Sequence, residues 1–280
     1  MLKRTIIITA IVIATLFVSF FVGMPVFNNY LLKKETKLLL NRNSSPKQIS
    51  FNSTTFSKLP TAVKKYLRKN VIDTSNPPRY CQFRIDGKTR LDENSDWLDF
   101  SSQNYYSATS PEFIKIVETQ DYDLFWTKTL QKYINKKAST KSKFMSSIPT
   151  YSFAGSKLQR SYLVLYLLES VFCPTVLFPD MNIQWDAIDG SKALATIWNE
   201  ELNGTAVFHF NKNGEVIKIV TDDRYMRSEF DYDNERFTIH FTNYQNVGKF
   251  NIPTYFEYQW NHDGRDINVG RFQITEITYE

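Results

Sequence analysis

Glycine is scarce in this chain, nine residues in 280. None of the nine falls into the spacing of a phosphate-cradling loop, so Walker-type and dinucleotide-binding sites are excluded at the outset. Cysteine is scarcer still. Cys81 and Cys173 are too few for a disulfide framework and too far apart in sequence for a zinc knuckle. They read as two buried free thiols, able to pair only if the fold joins them in an oxidising compartment. His209, His240 and His262 are the only histidines, and none lies three or four residues from another His or Cys. A zinc site is therefore not expected, and His240 and His262 read as surface residues. The G-x-S-x-G elbow and the H-E-x-x-H helix are both missing. The net charge of +5 is spread along the chain without a basic stripe, which argues against a nucleic-acid partner. No catalytic set, metal or cofactor is expected.

Aromatic residues are abundant by contrast, with 22 Phe and 16 Tyr. The longest apolar run is N-terminal. Residues 5–32 carry no charge, and Ile6 to Phe27, about 22 residues, is the length that crosses a hydrocarbon core as a helix. Lys3 and Arg4 precede it and Lys33, Lys34 and Lys37 follow. Its exit, VGMPVFNNY, offers no small-x-small cleavage site, so the segment reads as an uncleaved anchor. The short head and large C-terminal body place that body outside the cytoplasm. Residues 35–58 then turn polar and read as a tether. LPTAVKKYLRKNVI follows as a short amphipathic helix, with Pro60 in its first turn and Leu59, Val63, Tyr66 and Leu67 on one face.

The element around which the rest is arranged is SKLQRSYLVLYLLESVFCP, Ser156 to Pro174. Ser156 is suited to the N-cap with Gln159 three residues on, and Pro174 closes the run. Apolar residues from Tyr162 to Phe172 cover most of the circumference, which argues for burial between layers. Glu169 sits in the most apolar part of the run. If buried, a carboxylate there must find a donor or take up a proton; Glu169 reads either as pointing out of the sheet or paired with an Arg, or as a tuned carboxyl group lining a pocket.

Most of the remainder alternates with a strand period. Arg79 to Leu91 reads as two strands about a turn at Asp86-Gly87; Trp97 to Tyr106, Phe113 to Glu118 and Tyr122 to Ile134 continue the series. Asn135 to Lys143 reads as a basic loop. Phe208 and Phe210 share a face, Asn213-Gly214 turns the chain, and the row Phe237, Ile239, Phe241 is echoed by Phe256, Tyr258, Trp260. Apolar parity reverses across Gly270, which places a β-bulge there. Asp231 to Glu235 begins like a calcium loop but has Arg236 in the glycine position, and reads as a hairpin turn. Asp222 and Asp223 cannot share one site without a bulge. Ion pairs from Arg224 to Asp223 or to Glu169 are expected instead.

These residues also carry a resemblance. LPTAVKKYL, Trp97-x-x-Phe100 followed by SQNYYSATSPEF, YLLESVFCPTVLFPDMNIQWDAID, ALATIWNEELNGTAVFHFNKNGEVIKI, the DDR at Asp222, NIP with Trp260, and the closing ITEITYE together resemble an uncharacterised bacterial family. It is a domain of unknown function found in membrane-anchored or signal-bearing proteins. The resemblance spans Leu59 to Tyr279. It departs from the family where Leu165 stands in place of an Arg one turn before the helix Glu, and in the Lys-rich QKYINKKASTKSK. The pattern of sheet and helix looks like that of the periplasmic lipoprotein carriers, which implies a curved sheet enclosing an apolar cavity under a helical lid.

The expected architecture is α+β: an N-terminal transmembrane anchor at 1–34, a polar tether at 35–58, and one domain at 59–280. In that domain a curved antiparallel sheet of about ten strands wraps a central helix, with a short helix before it. The expected protein is a single-pass cell-membrane protein whose extracytoplasmic body binds a lipid, another apolar ligand or an apolar protein partner. Trp97, Gln103, Glu169, Trp185, Arg224 and Trp260 are the candidate ligand-binding residues. The alternatives are a hydrolase using Glu169 and Asp223, and a structural envelope protein whose core is filled.

Overall fold

The computed structural model describes residues 2–280 apart from 42–44, 46, 47, 123, 124, 180, 181, 228–231 and 263. Its apolar N-terminal stretch is not one spanning helix. It divides into α1 (Leu2–Val18), a π-helical turn at Ser19–Gly23, and α2 (Met24–Leu40). Pro25, in the first turn of α2, has no N–H to give to the carbonyl four residues back, and the backbone widens into π spacing just before it. Both helices are 17 residues long, and α2 carries Lys33, Lys34, Glu35 and Lys37. Among the described residues no helix is long and apolar enough to cross a membrane, which corrects the expected transmembrane signal anchor. The second helix rests on the sheet instead. Asn28 Nδ2 donates to the Ser146 carbonyl at 2.7 Å, Lys143 Nζ donates to Asn28 Oδ1 at 2.8 Å, and Lys132 pairs with Glu35 at 3.0 Å.

After α3 (Thr54–Ser57), the amphipathic helix forms as its pattern predicts. It is α4 (Thr61–Asn70), entered at Pro60, with Val63, Tyr66 and Leu67 buried. The strands are β1 (Tyr80–Thr89), β2 (Leu98–Ser107), β3 (Phe113–Tyr122), β4 (Phe125–Ile134), β5 (Lys137–Phe144), β6 (Ile148–Ala154), β7 (Ile183–Ala187), β8 (Lys192–Asn199), β9 (Leu202–Phe210), β10 (Val216–Arg227), β11 (Tyr232–Val247), β12 (Phe250–His262) and β13 (Arg265–Tyr279). The helix α5 (Ser156–Glu169) lies between β6 and β7 in sequence. All thirteen strands join in one antiparallel open sheet in the order β6-β5-β4-β3-β2-β1-β13-β12-β11-β10-β9-β8-β7. The α+β expectation of about ten strands is thus corrected to a larger sheet with few helices.

One of the uncounted strands was hidden by its composition. KASTKSK is a strand because Ala138, Thr140 and Ser142 alternate inward while the lysines take the other face. Asn135 and Lys136 make the preceding turn, both with positive φ, at 50° and 62°. At Asp86-Gly87 there is no turn, and β1 runs straight through. Gly87 is needed for closeness, since a Cβ there would stand 2.1 Å from the Arg271 carbonyl oxygen on β13. The bulge beside Gly270 forms as expected, where the pair Tyr258–Gly270 is followed by Gln259–Asn268.

Thirteen strands about 4.8 Å apart would span roughly 58 Å if flat. Yet α5, a single helix, packs against β5 and β6 near one edge and β8, β9 and β10 near the other. Across the same interior Asn199 on β8 donates to the Tyr133 hydroxyl on β4 at 2.9 Å. The sheet is therefore strongly curled, with its concave face inward. Residues paired across a ladder share a face. This gives the interior Cys81, Phe83, Ile85, Tyr106, Phe113, Phe208, Ile219, Ile239, Phe241 and Phe256, all buried.

Toward the end of the curl nearest Tyr80 and Phe250, this interior is filled by α4, by the 3-10 turns Ser170–Phe172 and Pro174–Leu177, and by α5. Phe172 packs between Phe83 at 5.3 Å and Phe256 at 5.1 Å, centroid to centroid. Cys81 and Cys173 are buried there as free thiols. The cap of α5 differs from expectation, because Gly155 occupies the N-cap with φ of 136° and makes no side-chain cap.

Candidate functional site

Toward the other end of the curl the interior is not filled. A cleft of about 720 Å³ opens on the concave side, bounded by side chains from β1 to β4, β10 to β13 and α5. Its walls are Phe100, Val117, Leu165, Phe237, Trp260 and Phe272, with Ile267 and Val269 beside them. The rings of Phe100 and Phe272 lie 4.7 Å apart, and those of Phe237 and Trp260 4.6 Å. Gly270 makes room for this wall, because a Cβ there would lie 2.1 Å from the Phe272 ring.

The boundary between the filled core and the cleft is a buried polar cluster. Ser161, Leu165 and Glu169 are spaced four apart and share one face of α5. Glu169, fully buried at the last position of that helix, pairs with Lys115 at 2.5 Å and accepts from the hydroxyls of Tyr106 and Tyr258. The requirement that this carboxylate find a donor is met three times over. Lys115 interrupts the inward row Phe113, Lys115, Val117 of β3, and it borders the cleft. Both phenols are pushed up from the ordinary tyrosine value, first by burial and then by the Glu169 charge that they serve.

Arg224 is the second cation of the cleft, and a bulge delivers it. Thr221 pairs with Phe237, but the next pair along is Arg224 with Glu235, three steps on β10 against two on β11. The extra residue reverses the parity of the strand and turns Arg224 inward. Its guanidinium lies over the Phe237 ring at 4.9 Å and the Trp260 ring at 5.7 Å, and Nη1 donates to the Ser161 carbonyl at 3.1 Å. Neither expected ion pair of Arg224 forms. Asp223 instead takes Arg160 at 3.0 Å and both the N–H and the hydroxyl of Thr205, while Glu169 takes Lys115.

Of the six sequence candidates the structure brings together three, Glu169, Arg224 and Trp260. Trp185 is core, donating from Nε1 to the Leu177 carbonyl at 3.0 Å and meeting Phe208 edge-on. Gln103 pairs with Ile116, on the outer face opposite Lys115, where the Tyr105 hydroxyl donates to it at 3.3 Å. Trp97 is held between the guanidinium groups of Arg90 at 4.7 Å and Arg271 at 4.9 Å, outside the cleft lining. His262, read from sequence as a surface residue, lines the cleft and bonds Glu235 at 2.9 Å. The calcium-loop segment begins at Asp231, which lies outside the described residues. Sequence reasoning missed Lys115, Tyr106, Phe237 and Tyr258 as site residues. Lys115 left a signal, a cation at an inward position of the apolar run FIKIV.

Residues 49–272 match a family described as a family of unknown function, DUF6544. No curated protein matches the chain. Among solved structures, a LolA superfamily protein from Nitrosomonas europaea aligns at 11% identity over 78% of this chain and 92% of its own, with a TM-score of 0.40. A DUF1329 family protein from Desulfovibrio piger aligns at 11% identity over the same two shares, 78% and 92%, with a TM-score of 0.44. Likenesses this distant leave the functional argument to the chain's own residues.

Proposed function

The chain belongs to DUF6544, a family of unknown function, and from its own geometry we propose that it is a binding module for a lipid or another apolar ligand. The observation that carries this reading is the cleft of about 720 Å³ on the concave side of the sheet, walled by aromatic and aliphatic side chains. Its volume lies in the range of small-molecule sites, and such sites combine apolar walls with a few polar groups. Lys115 and Arg224 are those groups here.

A hydrolase built on Glu169 and Asp223 finds less support. Each carboxylate is bound by its own set of donors, and neither is among the cleft-lining residues. A structural protein with a filled core fits the half of the interior around Phe172 but not the half around Trp260.

The test is a fluorescence titration of the full chain with N-phenyl-1-naphthylamine, an uncharged apolar dye. We expect saturable binding near one dye per chain. Filling the cleft from opposite walls, by Val117→Trp on β3 or Leu165→Trp on α5, should each weaken it at least tenfold while the far-ultraviolet circular dichroism stays that of the parent. Binding that is absent, or unchanged in both filled variants, would sink the reading.

A further inference from the structure

We propose that the ligand of this cleft carries a negative charge at its buried end, a carboxylate or phosphate oxygen, and that Arg224 receives it. The inference deepens the reading of the cleft as an apolar-ligand site and rests on it.

The charges of the inner cleft do not balance. Lys115 and Arg224 are both cations that border it; the lining also carries Arg90 and the exposed Asp92, whose Oδ1 accepts from the Asn94 N–H and the Ser95 hydroxyl. The carboxylate at their level, Glu169, is engaged by Lys115, Tyr106 and Tyr258. Arg224 has no carboxylate within ion-pair distance among the described residues, although it neighbours Asp223 in sequence and Glu235 across the ladder. Asp223 is turned to Arg160 and Thr205, and Glu235 is bonded to His262. The Nε–H of Arg224 is closed off from water and has no acceptor. Burial lowers the proton affinity of this guanidinium, as expected where solvation is lost and not replaced.

An arginine keeps its charge under these conditions, so the imbalance must be met by whatever enters. A neutral apolar ligand filling the cleft would strip the remaining water from Arg224 and leave a cation facing hydrocarbon, which is costly. An oxyanion at the same place restores neutrality and gives the planar fork of donors its matching acceptor. Phe237 and Trp260 hold that fork in position from its face, leaving its edge for an anion. The apolar walls from Phe100 to Phe272 then accommodate the tail, so the ligand class is a singly charged anionic amphiphile.

The test uses one chain length with several heads, by isothermal titration into the full chain: laurate, monododecyl phosphate, methyl laurate, and dodecyltrimethylammonium, all below their micellar concentrations. Acetate and inorganic phosphate serve as chainless controls. Laurate or dodecyl phosphate should bind at least tenfold more tightly than methyl laurate, with the cation weakest. In Arg224→Gln the ratio of anionic to neutral affinity should fall toward one, and Arg224→Lys should restore part of it. Equal affinity for laurate and methyl laurate in the parent overturns the inference while leaving the apolar site intact, and this comparison does not depend on any variant folding. Acetate or phosphate binding as tightly as the dodecyl compounds would show a free-anion site and overturn it as well. If none of the dodecyl probes binds, the underlying reading of the cleft fails first.

Discussion

The ion pair at the boundary of the cleft offers the sharpest energetic test. Glu169→Gln removes the negative charge at a position where the native side chain is 0% exposed and its Lys115 partner 6% exposed. Breaking one side of a buried pair costs about 3–5 kcal/mol, because the remaining charge is left without compensation. Three donors also converge on Glu169, and an amide offers them only one oxygen. At least one of Lys115, Tyr106 and Tyr258 loses its acceptor, a loss of about 1–3 kcal/mol within the same total. Lys115 borders the cleft, where water reaches it, so the lower end of the range, about 3 kcal/mol, is the expected cost. In thermal unfolding that corresponds to roughly 6–12 °C for a domain of this size class. The second arm is Lys115→Met together with Glu169→Gln, which removes both charges. Its stability should recover most of the loss, because an ion pair replaced by neutral side chains of similar volume is often tolerated. Urea denaturation of the parent, of Glu169→Gln and Lys115→Met singly, and of the double variant gives the coupling energy directly. A Glu169→Gln protein within about 1 kcal/mol of the parent, or single losses that add to within about 0.5 kcal/mol, would refute the account of this cluster.

Two further outcomes follow from the same structure. Gly87→Val should destabilise the chain by at least about 2 kcal/mol in urea denaturation, since the new Cβ meets the Arg271 carbonyl oxygen and the ladder between β1 and β13 must part; a loss below about 0.5 kcal/mol would show that the sheet yields freely there. Alkaline stability should fall early. Tyr106 and Tyr258 stay protonated in the folded state above the value of about 10 at which an unfolded chain releases their protons. The unfolded state therefore binds fewer protons above pH 10, and stability declines as pH rises from there. Phenolate absorbance near 295 nm should show these two groups ionising only as the fold is lost, and smooth titration of every tyrosine before unfolding would contradict their burial.

Much of the architecture was legible in the chain because it depends on local rules. The alternation of Phe237, Ile239 and Phe241 sets a strand face, Asn213-Gly214 sets a hairpin, and the parity change at Gly270 sets a bulge, each within a few residues. The amphipathic pattern from Leu59 to Leu67 forms its helix for the same reason. Where local signs competed with distant ones, the sequence misled. Gly87 looks like a turn but is a contact with Arg271, two strands that meet from opposite ends of the chain. The lysines of KASTKSK look like a loop, yet small inward residues against Tyr162 make a strand, with Thr140 bonded to that tyrosine's hydroxyl. The apolar N-terminal run looked long enough to span a membrane, but Pro25 and the π turn before it divide the run.

The candidate site was less legible still. The sequence alone placed Glu169 in the most apolar part of its helix, where a buried carboxylate needs donors, but left open whether it points out of the sheet. Tertiary structure decided that those donors are Lys115 and Tyr106, from the paired strands β3 and β2, and Tyr258 from β12, three strands along the sheet from β2. It also decided that a single extra residue in β10 turns Arg224 into the cleft and away from Asp223. Parity along a strand is a local property, but the bulge that reverses it is fixed by pairing with β11, and the charge left uncompensated is visible only once Asp223, Glu169 and Glu235 are seen with their partners.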